Sequence, residues 1–323
     1  MPRQARLDIP GALHHIMVRG NNKGEIFKDD QDRTHFLLRL RENIFETHCS
    51  VYAWVLMNNH VHILFKSGQK GISTVMRKLL TWYAIYYNHR HRRTGHLFEN
   101  RYKSILCEED TYLLALTRYI HLNPIRAKII TTIEDLDCYP WSGHGAVIGK
   151  AACPWMDTQY VLEQFGSTKQ KAIKEYRRFI EEGINMGHIP ELTGGGLIRS
   201  LGGWSQVLST RNRKEKLEYD ERILGSGDFV NEVLKETEEK HRRQIRAKRS
   251  GMTITQIIER ECTKAKISPE ELKNGSRRRK ASEVRMAIAL RGVEELGLSS
   301  AEIARHLGVA TSSITRAIAK KER

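Results

Sequence analysis

Two histidines separated by one apolar residue, His60-Val61-His62, are the side chains here best spaced to hold a divalent ion. On a β-strand, positions i and i+2 point to the same face, which would set this pair about 6–7 Å apart. Val61, Ile63 and Phe65 would then turn to the opposite face and pack beneath helices. Neutral imidazoles in that arrangement can share one cation. An isolated His-x-His is more often a pair of half-exposed side chains on a polar sheet face, so a second group has to decide. Tyr119 and Asn123, in the run YIHLN, supply it. Residues i and i+4 lie on one helix face, so a phenol and an amide oxygen could be presented together. The plainer alternative is that Tyr119 packs within an amphipathic helix and Asn123 ends it before Pro124.

These residues need a scaffold, and the hydrophobic periodicity supplies one. Residues 12–19 (ALHHIMVR) read as a strand, followed by turn residues Asn21, Asn22 and Gly24. The spacing of Phe36, Leu37, Leu40 and Ile44 predicts a helix over 29–47. Residues 51–57 and 60–66 read as strands, 71–92 as a helix, 101–107 as a strand and 109–122 as a helix. The order β-α-β-β-α-β is that of a ferredoxin-like sheet. Pro124, Pro140 and Pro154 mark 124–165 as an irregular wrap, and 169–183 reads as a further helix. The runs LTGGGL (192–197) and GSGD (225–228) punctuate the middle of the chain, 240–280 is strongly basic, and 282–323 is helical again.

The chain has 323 residues with 54 Lys plus Arg against 38 Asp plus Glu, a formal charge of +16. That excess points to a polyanionic partner, most simply nucleic acid. No apolar run is long enough to span a bilayer, and the N-terminus lacks a signal-peptide core. Five scattered cysteines without a C-x-x-C argue against a disulfide framework or structural zinc, and for a reducing cytoplasm. The expected localisation is cytoplasmic and nucleoid-associated, with no membrane partner.

Five stretches, in order, carry a family resemblance: HHIMVRGNN (14–22), AWVLMNNHVHILF (53–65), YYNHRHRRTGHLFENRYKS (86–104), RYIHLNPIRAKI (118–129) and YPWSG (139–143). Together they resemble the REP-associated tyrosine transposases, single-tyrosine members of the His-hydrophobe-His (HUH) group. The resemblance implies Tyr119 as nucleophile and His60, His62 and Asn123 as ligands of a divalent ion; phosphate oxygens favour Mg²⁺ or Mn²⁺, while two imidazoles accept Mn²⁺, Co²⁺ or Zn²⁺ at least as well. It implies cleavage and rejoining of hairpin-containing single-stranded DNA through a 5′-phosphotyrosine link. Tyrosine has an ordinary pKa near 10, so the ion would act on the scissile phosphate as a Lewis acid. No residue stands out as general base; His121 falls off the Tyr119 face of the helix.

Basic and polar residues near these motifs suit a DNA strand: Arg19, Asn21, Arg101 and Lys103. At the other end of the chain, LSSAEIARHLGVATSSITRAIAKK (298–321) reads as a helix-turn-helix with its tight turn at Gly308. Its second helix offers Ser312, Ser313, Thr315 and Arg316 to a major groove. Residues 254–320 are similar to the duplex-binding domain of bacterial replication initiators, with Arg277, Arg278 and Arg279 standing where that family has a basic loop. The typical recognition-helix ending of that family is absent.

The expected fold class is therefore α+β: a ferredoxin-like βαββαβ HUH domain (1–145) with an added catalytic helix. A mostly helical connecting region (146–245) and an all-α DNA-binding domain with a helix-turn-helix (246–323) would come after it. The expected partner is DNA, with the hairpin strand at the first domain and a duplex at the last, and the protein a monomer or homodimer. The competing expectation is a DNA-binding regulator that keeps the scaffold without catalysis. A zinc hydrolase would need more hard ligands near His60 than the sequence offers.

Overall fold

The computed structural model describes residues 7–68, 71–186, 192, 220–249, 252–274, 276 and 278–321. The first strand, Leu13–Arg19 (β1), leads through a short turn to Asp30–Thr47 (α1), where Asp29 caps the helix by accepting from the Asp32 amide. Phe36, Leu40 and Ile44 recur every four residues and are buried, as their spacing predicts. Ser50–Leu56 (β2) and His60–Lys66 (β3) form a hairpin, followed by Gly71–Arg90 (α2). The Asp8 carboxylate accepts from the amides of Ile72 and Ser73 and so caps α2. Gly71 has φ +67 and meets that carboxylate closely, so a side chain there would be both strained and obstructed. Lys103–Cys107 (β4) and Glu109–His121 (α3) complete the expected order.

The sheet order is β2-β3-β1-β4-β5, with β1 central and the first four strands antiparallel. That is the ferredoxin-like pairing with one addition. Ile223–Leu224 (β5) runs parallel to β4, a two-residue strand too short to leave a periodic signal. The helix α3 packs on β2 and β3. Val61, Ile63 and Phe65 are fully buried on the opposite face.

Residues 123–182 form five helices: Asn123–Arg126 (α4), Ile133–Cys138 (α5), His144–Val147 (α6), Thr158–Glu163 (α7) and Lys169–Glu182 (α8). Val147, Val161, Leu162, Tyr176 and Ile180 join the same buried cluster as the sheet. No new core starts at 146. The compact units divide between Asn231 and Glu232, because α7 and α8 bury their apolar faces against the first domain. The run at 192–197 lies outside the described residues, apart from Leu192.

Gly227–Arg249 (α9) begins in the first unit, where the Ser226 hydroxyl accepts from the Phe229 amide. The second unit contains Ile254–Ala265 (α10), Pro269–Lys273 (α11), Arg279–Glu294 (α12), Ser300–Leu307 (α13) and Thr311–Lys321 (α14). Its own core holds Ile257, Leu272, Ile288, Ile303, Leu307 and Ile314. A capping box of Ser299 and Glu302 starts α13, and Gly308, at φ +64, ends it.

Candidate active site

The register of β1 against β3 sets Arg19 opposite His60, Met17 opposite His62 and His15 opposite Leu64. The rings of His60 and His62 lie on one face with centroids 5.2 Å apart. His15, from β1, reaches the same face: its Nε2 is 2.9 Å from His62 Nδ1, and the two rings stack at 5.2 Å. Sequence reasoning missed His15. Its only signal was the doublet His14-His15, of which alternation can send one member to each face.

Hydrogen bonding fixes the chemical state of His60. The Asn59 amide nitrogen donates to the Lys23 carbonyl at 3.0 Å, so Asn59 Oδ1 is the atom that faces His60 Nδ1 at 2.6 Å. An oxygen there can only accept, so Nδ1 carries the proton and Nε2 keeps its lone pair. Burial lowers the His60 pKa to about 4, helped by the charge of Arg19. His62, deeper still, is held well below its ordinary value by burial, then by its neighbours His15, His60 and Arg19. Both imidazoles are thus neutral at pH 7. Each also has its Nδ1 engaged by a second residue, the orientation that metal-binding histidines require.

Tyr119 comes down on this pair from α3. Its ring is 5.8 Å from His62 and 5.9 Å from His15, edge-on to both. The side chain is 6% exposed. The sheet face is consequently roofed at His62 by the helix that brings the phenol. Asn123 does not continue that helix: α3 ends at His121, and Asn123 opens α4. Its Nδ2 folds back to donate to the carbonyls of Tyr119 (3.0 Å) and Ile120 (3.2 Å), which leaves the amide oxygen as its remaining donor atom for a cation. Among the described residues, no group of three or more His, Cys, Asp or Glu is placed to hold a metal. The donor atoms shown together on this sheet face are the two neutral imidazoles of His60 and His62, nitrogen ligands that a divalent transition-metal ion accepts more readily than Mg²⁺ does.

Arg19 and Asn21 are exposed at the end of β1, and the Asn21 amide donates to the Leu97 carbonyl. Lys103 is exposed on β4, but Arg101 lies in the bend before that strand, because β4 begins only at Lys103. The expectation of a strand over 101–107 is corrected accordingly to 103–107. Arg126, unremarked in the sequence, places its guanidinium 5.2 Å from the Tyr119 ring centroid and donates to the Tyr119 carbonyl at 3.2 Å. Arg90 and His91 of the HRHRR run are engaged by Asp29 and Asp32 and serve the scaffold.

His121 points away from the phenol into a buried polar chain. Its Nδ1 is 2.7 Å from the Tyr176 hydroxyl, which lies 3.1 Å from His144 Nδ1, and His144 Nε2 meets Asp137 at 2.9 Å. Lys150 and Arg177 complete the Asp137 carboxylate. All three rings and the carboxylate are buried, so this chain braces α3 against α5, α6 and α8.

Residues 10–123 match the family described as "Transposase IS200 like". This segment is similar to the IS200-like transposases. The matched stretch of the transposase family takes in His15, His60, His62 and Tyr119 and ends at Asn123. A solved structure of a REP-associated tyrosine transposase bound to a REP hairpin is similar at 16% identity and TM-score 0.39, over 48% of this chain and 89% of that one. No curated protein matches the chain. Among the described residues, no helix is long and apolar enough to cross a membrane.

In the second unit, Arg278 and Arg279 are exposed, each paired to a glutamate, Glu271 and Glu283 respectively. Ser312 and Arg316 are exposed one turn apart on α14, where Arg316 Nε donates to the Ser312 carbonyl, and Ser313 is half-buried. Thr315 lies on α14 with its side chain outside the described atoms, and Arg277 lies outside the described residues.

Proposed function

We propose that this transposase cleaves and rejoins hairpin-containing single-stranded DNA, with Tyr119 as the nucleophile. The observation that carries this reading is the meeting of Tyr119 with His62, 5.8 Å from ring to ring, beside His60, from segments far apart in the chain. The Tyr119 oxygen attacks a phosphodiester: the O–P bond to tyrosine forms, the P–O3′ bond breaks, and the leaving 3′-oxygen takes up a proton as the phenol gives one up. The 5′-phosphotyrosine preserves the ester, so a second 3′-OH can reverse the step on another strand. His60 Nε2, His62 Nε2 and the Asn123 amide oxygen would hold Mg²⁺ or Mn²⁺. When bound, the ion supplies Lewis-acid stabilisation of the phosphate in the transition state. Asn59 and His15 orient the two imidazoles by their Nδ1 atoms. Arg19, Asn21, Arg101 and Lys103 line the DNA strand's approach to this site.

The second unit binds duplex DNA through Arg277, Arg278, Arg279, Ser312, Ser313, Thr315 and Arg316. Its attachment raises the local concentration of substrate at the first. The test is incubation of the full chain with hairpin oligonucleotides and Mg²⁺ or Mn²⁺. A covalent protein–DNA adduct is expected, lost in Tyr119→Phe and on addition of EDTA. An adduct of equal yield in Tyr119→Phe overturns the nucleophile assignment. Binding without cleavage under every divalent ion favours the non-catalytic regulator.

A further inference from the structure

Arg126 differs from most half-buried arginines of this molecule, which meet carboxylates: Arg90 with Asp29 and Asp32, Arg177 with Asp137 and Glu134, Arg222 with Asp220, and Arg291 with Glu261 and Glu295. Arg118 shares its lack of a carboxylate ion pair, but stacks on the Phe179 ring at 4.2 Å and reaches the Phe179 carbonyl at 3.5 Å. Arg285 has two carbonyl acceptors instead, those of Ser276 and Leu272. That matching is what desolvation demands, because a guanidinium withdrawn from water needs an anion or several acceptors in exchange. Among the described residues, Arg126 has no carboxylate partner and makes a single hydrogen bond, Nη1 to the Tyr119 carbonyl. Its Nε is buried without a partner. Burial disfavours its charge, the neighbouring Tyr119 favours it, and a second cation, Arg118, lies close enough to repel it. The fold thus keeps an under-satisfied guanidinium beside the Tyr119 ring at a cost in stability.

We propose that Arg126 is an anion site for the phosphate attacked by Tyr119: the fork clamps one scissile phosphodiester and stays on the phosphotyrosine formed from it. The inference rests on the reading of Tyr119 as nucleophile. Two features favour a phosphate over a free carboxylate ligand. The guanidinium stands 5.2 Å from the ring whose oxygen would carry the phosphorus, and a planar fork with open donors matches two phosphate oxygens at once. The Nη1 bond to the Tyr119 backbone ties the clamp to the residue that attacks, so nucleophile and phosphate are registered by one helix end. Arg126 does this work from α4, beyond the end of the segment that matches the transposase family.

The experiment crosses an enzyme change with a substrate change. Single-stranded hairpin oligonucleotides are made with one neutral methylphosphonate at each linkage in turn. Binding is measured in EDTA by fluorescence anisotropy, for the full chain and for Arg126→Gln. One linkage is expected to show coupling: Arg126→Gln weakens binding of the diester about tenfold there and leaves the methylphosphonate within twofold. In the presence of Mn²⁺, that linkage should be the one at which the adduct forms. A glutamine variant that merely disturbs packing weakens every oligonucleotide alike, and coupling at no linkage overturns the inference whether or not the DNA is cleaved. Coupling at one linkage without any adduct supports the anion site and refutes the catalytic reading. Should Arg126→Gln not fold, Arg126→Lys replaces it, with about threefold weaker binding of the diester expected and again none of the methylphosphonate.

Discussion

At the scale of single residues, the site is a matter of ring nitrogens. On the proposed reading, His62 offers Nε2 to a cation when its Nδ1 carries the proton, and His15 Nε2, 2.9 Å away, is placed to accept that proton. His15→Leu should therefore weaken Mn²⁺ binding about 10- to 100-fold, measured by calorimetry, while leaving the fold intact. Unchanged affinity would remove His15 from the site. Its neighbour His14 turns to the other face and bonds Ser104 at 3.2 Å. Burial lowers the His14 pKa from 6.5 to about 4. Between those values the unfolded chain takes up a proton that the folded chain refuses. Stability is thus lost as pH falls from 6.5 towards 4 and is unaffected above 6.5, and the full loss from this group is about 3 kcal/mol. Denaturation of His14→Gln should lose that much less than wild type between pH 7 and pH 4; equal losses would show that His14 protonates freely in the folded protein.

At the scale of elements, α3 has to be held against the sheet to within a fraction of an ångström for Tyr119 to face the histidines. Its apolar residues do part of this, and the buried chain His121–Tyr176–His144–Asp137 does the rest. Tyr176→Phe removes one hydroxyl and strands two imidazole nitrogens. It should cost about 2–4 kcal/mol in urea denaturation, more than a surface tyrosine could. A loss below about half a kcal/mol would mean the relay is not continuous. In the second unit, Gly308 ends α13 at φ +64, and a methyl group there would meet the Lys273 carbonyl at 3.0 Å. Gly308→Ala should lower the stability of that unit by about 1–2 kcal/mol, read from the loss of its helical signal on heating.

At the scale of the whole molecule, the net charge of +16 is spread over two units with separate cores. If the second unit reads duplex phosphates, removing three exposed cations, Arg278→Ala, Arg279→Ala and Arg316→Ala, should reduce the salt dependence of duplex binding by about three in the log–log slope. The rate of adduct formation on a single-stranded hairpin at saturating protein should stay within twofold. A fall in both together would show that the two units act as one site.

The strands and long helices of the first domain were legible because alternation and four-residue spacing are local properties: Phe36, Leu40 and Ile44, or Val61, Ile63 and Phe65, declare their faces in the chain itself. The pairing of His60 with His62 was legible for the same reason. Other features depend on distant partners. β5 is two residues borrowed from position 223, and α7 and α8 join the first core only because its surface is there to cover them. The second member of His14-His15 supports His62 because β1 happens to pair with β3 in one register and not the next. Arg126 faces Tyr119 because α3 stops at His121 and α4 turns the chain back. Periodicity fixes which way a side chain points; only the packed chain decides what it points at.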